Sequence, residues 1–255
     1  MIEINAKTQL FGLLGWPIDY TRSPQIHNSL SQKEGKNAVY LPFPTEEKDL
    51  AVFVAFARVF LQGFNVTVPY KEKIIPFLDE LALSGQICGA VNTVKVRGGK
   101  LIGYNTDGEG GKRYVEEKIS LAGKTVLIKG AGGAARGLAA AFLPECTVRI
   151  DARRTEQARL LADDLKRFYP DRDIDLFRGQ PADILVNATT LGSNMQPGLP
   201  FSEEQIARSV LVYDAVYGPP ETALISAARR LGKPVVVGMD MLIGQAVLAR
   251  EIFFS

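Results

Sequence analysis

Apolar positions recur along this chain in short runs of four or five, and most runs are separated by helix-length segments of mixed polarity, the trace that strands and their covering helices leave in a sequence. In the first hundred residues, positions 10–14 and 38–41 are apolar and short, and 64–68 alternates before stopping at Pro69, so three strands are predicted. Helices are predicted between them. Ser23 reads as an N-cap, with Pro24 at the first helical position and Gly35 as the stop, and Thr45 similarly opens a helix that Gly63 ends. Residues 51–64 are the most apolar stretch, but Arg58 and Gln62 interrupt it well short of the roughly 20 residues a bilayer requires, so it reads as a buried helix. Residues 90–95 and 101–105 flank Arg97-Gly-Gly-Lys100, the pattern of a hairpin with a glycine turn.

Beyond Thr125 the pattern becomes more regular. Runs at 125–128, 147–150, 183–186, 210–213 and 234–237 are apolar on both faces, which predicts a parallel sheet covered by helices on each side. The fold class is therefore α/β in two lobes: an N-terminal α/β domain of residues 1–106, completed by a C-terminal helix at 239–255, and a Rossmann-like, doubly wound domain at 107–238. A cleft is expected between them.

Composition narrows the chemistry by exclusion. Thirty basic and 28 acidic side chains among 255 residues leave a formal charge of +2 with no block of like charge, so no nucleic-acid surface is expected. No membrane partner is expected either. The first residues, Met1-Ile-Glu-Ile, carry a carboxylate where a secretory signal is basic, which points to a cytoplasmic protein. Cys88 and Cys146 form no C-x-x-C and read as packed, reduced thiols, and with His27 as the only histidine no metal site is expected. Proton transfer then falls to Lys, Asp, Glu or Tyr.

Three segments carry candidate chemistry. Gly130-Ala131-Gly132-Gly133-Ala134-Ala135 fits G-x-G-x-x-A between a predicted strand and a predicted helix, where Gly130 permits the turn, Gly132 lets backbone amides approach a pyrophosphate, and the helix N-terminus favours its charge. Asp151, about 20 residues on, suits the ribose hydroxyls of NAD, whereas Arg153 and Arg154 suit the 2′-phosphate of NADP; two adjacent guanidiniums tip the balance to NADP. In Asn65-Val-Thr67-Val-Pro-Tyr-Lys71 an amide, a hydroxyl and an ammonium share one strand end, and Asp107 of Asn105-Thr-Asp-Gly108 is a carboxylate that can orient that ammonium during proton transfer. Asn92, Asn105 and Thr106 also read plainly as turn residues. Tyr114-Val-Glu-Glu-Lys118 matches the Y-x-x-x-K of short-chain dehydrogenases but precedes the glycine loop, so it reads as a chance match on an exposed helix. Tyr213 and Tyr217 read as core or rim aromatics.

Taken in order, these segments resemble the shikimate dehydrogenase family over nearly the whole chain. The resemblance also rests on Ser23-Pro24 with His27, Ala90-Val-Asn-Thr93, Asn187-Ala-Thr189 and Met241-Leu-Ile-Gly-Gln245. It implies a cofactor, NADP, and a small-molecule substrate, with NADPH-dependent reduction of 3-dehydroshikimate to shikimate on the route to aromatic amino acids. By position, it implies that Lys71 is the acid/base and Asp107 its partner. Asn65, Thr67, Asn92 and Gln245 would then hold the ring substituents, and Thr21, Ser23 and Tyr217 the carboxylate. Asn187, Thr189 and Gly238 would lie near the nicotinamide. Four departures stand out: Thr21 replaces a usual serine, Tyr20 a frequent histidine, Ala152-Arg153-Arg154 the signature Asn-Arg-Thr, and Asp240 a frequent glycine. The alternatives are a quinate or aminoshikimate dehydrogenase using NAD, or a catalytically silent sensor of the same ligands. Either a monomer or a homodimer is compatible with the sequence.

Overall fold

The first apolar run forms β1 (Gln9–Gly15), followed by α1 (Ser23–Lys33), β2 (Ala38–Pro44), α2 (Leu50–Phe60) and β3 (Gly63–Val66). Strands β1, β2 and β3 pair in parallel, as right-handed strand–helix–strand crossovers require. Next come β4 (Glu80–Leu81), α3 (Leu83–Cys88) and the hairpin of β5 (Thr93–Arg97) and β6 (Lys100–Tyr104), completing a sheet of order β2-β1-β3-β5-β6-β4. Gly98 and Gly99 both take positive φ, the backbone a two-residue hairpin turn demands. This computed structural model describes residues 4–19 and 21–255, so Tyr20 and Met1-Ile-Glu lie outside the described residues.

A second sheet follows. Its elements are α4 (Asp107–Glu116), β7 (Thr125–Lys129), α5 (Gly133–Phe142), β8 (Thr147–Asp151), α6 (Thr155–Phe168), β9 (Ile174–Leu176), β10 (Ile184–Asn187), α7 (Glu203–Arg208), β11 (Leu211–Asp214), α8 (Ala223–Arg230), β12 (Val235–Val237) and α9 (Gly238–Phe254). All pairings are parallel, in the order β12-β11-β10-β7-β8-β9. Val126, Leu127 and Ile128, Ile184, Leu185 and Val186, and Leu211 and Val212 are buried in succession, which is why β7, β10 and β11 read as continuous apolar runs, whereas β8 buries only alternate residues, Val148 and Ile150. The fold divides into Met1–Thr106 with Ala246–Ser255, and Asp107–Gln245. In the first unit the last turns of α9 set Ala249 and Phe253 against Phe11, Leu13, Ile18 and Tyr40. No helix among the described residues is long and apolar enough to cross a membrane.

Several local expectations need correction. Arg22, not Ser23, occupies the N-cap of α1, so Ser23 and Pro24 are the first two helical residues. Thr45 caps no helix; its hydroxyl donates to the Phe43 carbonyl, and a short 3₁₀ turn, Glu47–Asp49, leads into α2. Gly63 begins β3 instead of ending α2, and β3 stops at Val66, leaving Thr67 beyond the strand. The hairpin begins at Thr93 and not at Ala90. The helix expected to be buried buries only one face: Leu50, Phe53, Val54 and Ala57 are covered, whereas Val52, Val59 and Phe60 are 68, 73 and 59% exposed.

Candidate active site

In the first unit the candidate residues gather at the carboxyl ends of β1 and β3, where ligands bind in parallel sheets. The amides of Trp16 and Thr67 close these ends by donating to Val68 (3.2 Å) and Leu14 (2.9 Å). A β-carbon at Gly15 would meet the Thr67 methyl at 2.5 Å, so a bare backbone is what lets Thr67 lie over this strand end. Thr21 and Ser23 follow on the next turn with their hydroxyls 3.3 Å apart.

Asn65 is buried and heavily used. It accepts from the Tyr40 hydroxyl (2.9 Å) and donates to the Asn92 carbonyl (3.0 Å) and the Thr93 hydroxyl (3.0 Å). The Asn92 side chain donates to the Thr106 hydroxyl (3.0 Å) and accepts from the Thr106 amide (2.9 Å). Asn105 donates to the Ala90 carbonyl (3.0 Å). These bonds make one buried polar network that fixes the end of β3 and the segments before β5 and after β6 against each other. Buried amides need such partners, and both N–H groups of Asn65 already have theirs, which leaves its oxygen as the atom with spare capacity.

Lys71 follows β3 on a turn and is half-buried. Its backbone is held from two sides: its carbonyl accepts from the Val91 amide (2.7 Å), and the buried Tyr70 donates its hydroxyl to the Thr45 carbonyl (2.6 Å). The amine therefore hangs from an anchored stem.

In the second unit, Asp107 is the buried first residue of α4, where the helix N-terminus favours a carboxylate. Tyr213 is completely buried. Its hydroxyl has no hydrogen-bond partner among the described residues, and burial first, with the charges of Asp107, Asp240 and Asp214, holds it well above the usual phenol range. Tyr217 is 55% exposed. Asn187 is buried and donates to Asp214 (2.9 Å) and the Leu191 carbonyl (2.8 Å), while its oxygen accepts from the Thr189 hydroxyl (2.7 Å). Asp214 also accepts from Thr222 (2.6 Å). Burial raises its pKa, and the bonds from Thr222, Val216 and Asn187 oppose the rise. The sequence reading missed Asp214 and Thr222; an acid closing an apolar strand run was the available signal.

A cavity of about 890 Å³ opens at the ends of β7, β8 and β10. The chain runs from β7 outward to β9 and then returns to β10 on the other side of β7, so this is the topological switch point of the sheet. Gly130 (φ +121°) has the Ala188 carbonyl 2.8 Å from where a β-carbon would sit, so no side chain fits. Gly132 and Gly133 face open space at the N-terminus of α5, with Ala131 and Ala134 half-buried on either side. Bare backbone, open space and a helix N-terminus are what a pyrophosphate needs.

The cavity wall also settles how Asp151 is used. Its carboxylate lies 3.1 Å from the Lys129 amine, whereas Arg153 and Arg154 are exposed and in no ion pair among the described residues. Lys129 balances the charge of Asp151, and two guanidiniums remain for a phosphate. Lys129 was not singled out in the sequence, because its partner lies 22 positions away on the next strand. Gly238 opens α9 with the Ala215 and Val216 carbonyls 2.7 Å from a notional β-carbon, and Asp240 accepts from the Val237 amide (3.0 Å), a cap that accounts for an acid there. Gln245 donates to the Leu242 carbonyl (2.9 Å).

Residues 13–94 match the family model described as the shikimate dehydrogenase substrate binding domain. A shikimate dehydrogenase (NADP(+)) of Methanococcus maripaludis is 36% identical over 264 residues, spanning 98% of this chain and 92% of that protein. A crystal structure of a shikimate dehydrogenase in complex with NADP+ superposes with a TM-score of 0.91 at 34% identity, covering 98% of this chain and 91% of the other. The quinate dehydrogenase from Corynebacterium glutamicum in complex with NAD gives 0.87 at 32% identity, with 96% and 93% covered.

Proposed function

Because this chain belongs to the shikimate dehydrogenase family, we propose that it is an NADP-dependent oxidoreductase interconverting 3-dehydroshikimate and shikimate. The observation that carries the cofactor side is the switch-point cavity, lined both by Gly132, beside the open Gly133, and by Arg153 and Arg154, which are in no ion pair among the described residues. Residues 107–245 are thus the dinucleotide-binding part, with Gly130, Ala131, Gly132, Gly133 and Ala134 around the pyrophosphate and the two arginines on the 2′-phosphate. Thr189 lies on the nicotinamide side, and Asn187 acts by fixing the Thr189 hydroxyl; Gly238 keeps the approach free of a side chain.

NADPH supplies the hydride when bound. Lys71 would give a proton to the carbonyl oxygen in the reductive direction and take it back from the alcohol in the reverse direction. Asp107 orients the ammonium and balances its charge. Thr21, Ser23 and Tyr217 receive the substrate carboxylate, and Asn65, Thr67, Asn92 and Gln245 read the ring hydroxyls; all of these but Tyr217 and Gln245 belong to the first unit. Preorganisation supports these roles, because bonds within the protein itself hold Asn65, Asn92 and Thr106 in one network.

A second reading, quinate oxidation with NAD, draws on Asp151 at the β8 end and on the similarity to a quinate dehydrogenase. Steady-state kinetics with shikimate and quinate against NADP+ and NAD+ separate the two. The expected result is the highest kcat/KM for shikimate with NADP+, and a preference for quinate with NAD+ overturns the proposal.

A further inference from the structure

Three cations and one carboxylate, Lys129, Arg153, Arg154 and Asp151, are among the residues lining the switch-point cavity. The arginines suit a phosphate, but the carboxylate works against one. At the end of the second strand of such a sheet an acid receives the ribose hydroxyls of NAD, whereas NADP brings a phosphate carrying about two negative charges to the same place. Asp151 is therefore an NAD-type residue in a cavity otherwise charged for NADP, and the outcome depends on what its neighbour does.

Lys129 and Asp151 end β7 and β8 as partners in register, so their side chains leave the same face of the sheet. The backbone locks this pairing, because the Gly130 amide donates to the Asp151 carbonyl (2.7 Å) and the Ala188 amide to the Lys129 carbonyl (2.8 Å). The amine lies 3.1 Å from the carboxylate and 5.3 Å from the centre of the Phe201 ring. A carboxylate and a ring face each attract an ammonium, so the lysine is held from two directions. The two side chains are 28 and 36% exposed, so salt screens this pair less than one standing free on the surface. Nothing in the packing of β7, whose Val126, Leu127 and Ile128 are buried, calls for a cation at its end.

Given this cavity as the dinucleotide site, the reading on which this rests, we propose that Lys129 determines cofactor choice. By pairing with Asp151 it withdraws that carboxylate from the ribose, and so lets an NAD-type strand end accept a 2′-phosphate. The part differs from that of the two arginines. They attract the phosphate from the loop after β8, whereas Lys129 cancels the repulsion coming from the strand end itself. NAD brings only hydroxyls to this place, and a freed carboxylate suits them. Loss of Lys129 should therefore separate the two cofactors, while loss of a pair that merely braced the strands would weaken both alike.

Titration calorimetry of the full chain with NADP+ and with NAD+ gives the ratio of their dissociation constants. Lys129→Met should shift that ratio toward NAD+ by at least about 10-fold, what a hydrogen bond to a charged group is worth, with NAD+ binding held or tightened. Lys129→Arg keeps the cation and should keep the ratio near its wild-type value. In an Asp151→Asn background, Lys129→Met should move the ratio by less than about 3-fold, since the carboxylate it governs is gone. A ratio unmoved by Lys129→Met, an equal weakening of both cofactors, or the full shift persisting with Asp151→Asn, which would put the amine on the phosphate itself, would each overturn the proposal. A wild type that binds NAD+ more tightly refutes the NADP assignment instead, and a ratio that still shifts with Lys129→Met then upholds the role of Lys129.

Discussion

Lys71 owes its proposed role to what holds it. Its carbonyl is tied to Val91 and its neighbour Tyr70 to Thr45, so the amine swings from a fixed root. Lys71→Ala should lower kcat by at least about 100-fold with a smaller change in KM, since a lost acid/base group is missed in the transition state more than in substrate binding. A near-normal kcat in stopped-flow or steady-state assays removes Lys71 from that role. His27 makes a different residue-scale case. It stacks on Tyr40 (4.1 Å, 5°) with neither ring nitrogen hydrogen-bonded among the described residues, and burial first, then Arg250, lowers its pKa to about 3. An unfolded histidine titrates near 6.5, so between these values the unfolded state binds the extra proton. Stability from the neutral ring is complete above about pH 6.5 and is lost as pH falls toward 3, at up to about 1.4 kcal/mol per pH unit. His27→Phe should therefore lose less stability than the wild type between neutral and mildly acidic pH in urea titrations. Equal slopes for the two proteins would refute this.

Among the elements, α4 shows where sequence stops being informative. Glycines at 108, 110 and 111 each cost a helix about 1 kcal/mol relative to alanine, so propensity argues against a helix there, and the sequence reading placed only its far end, from Tyr114, on one. The packing explains them. A β-carbon at Gly108 would fall on the Gly137 backbone of α5, one at Gly110 on the Gly244–Gln245 backbone of α9, and one at Gly111 on the Tyr213 hydroxyl. Backbone cannot step aside as a side-chain tip can. Gly110→Ala should thus destabilise by about 1–3 kcal/mol despite its better propensity, whereas Gly133→Ala, which faces open space, should be neutral or stabilising. Urea midpoints measure both, and a Gly110→Ala protein as stable as the wild type would show that α4 and α9 do not pack this closely. The strands that went unread, β4 and β9, are two and three residues long, too short for any period to register. The runs of β7, β10 and β11 were legible because burial on both faces leaves little choice of residue, while β8 and β12, buried at alternate positions, still read through their β-branched residues.

At the scale of the whole molecule, what the sequence carried was class and chemistry, while what it withheld was pairing. Parallel strands follow from apolar runs, but their order depends on the path of the connections, and Lys129–Asp151 and Asn187–Asp214–Thr222 join residues that no spacing rule brings together. The same limit explains why α2 read as buried: its apolar composition does not say which of its faces meets the core. The chain leaves its first unit at Thr106 and returns to it at Ala246, so each unit folds around its own sheet, and each proposed ligand has its own set of segments. Binding stabilises the conformations it contacts, and local opening there becomes rarer. In hydrogen-exchange mass spectrometry, NADP+ alone should therefore slow exchange at residues 129–136, 151–157 and 188–191, and shikimate alone at 65–71 and 90–106. Arg154→Ala should weaken the first effect for NADP+ more than for NAD+ and leave the second untouched. Protection by shikimate confined to 129–136, or NADP+ protection unaffected by Arg154→Ala, would overturn the division of labour between the two parts of the chain.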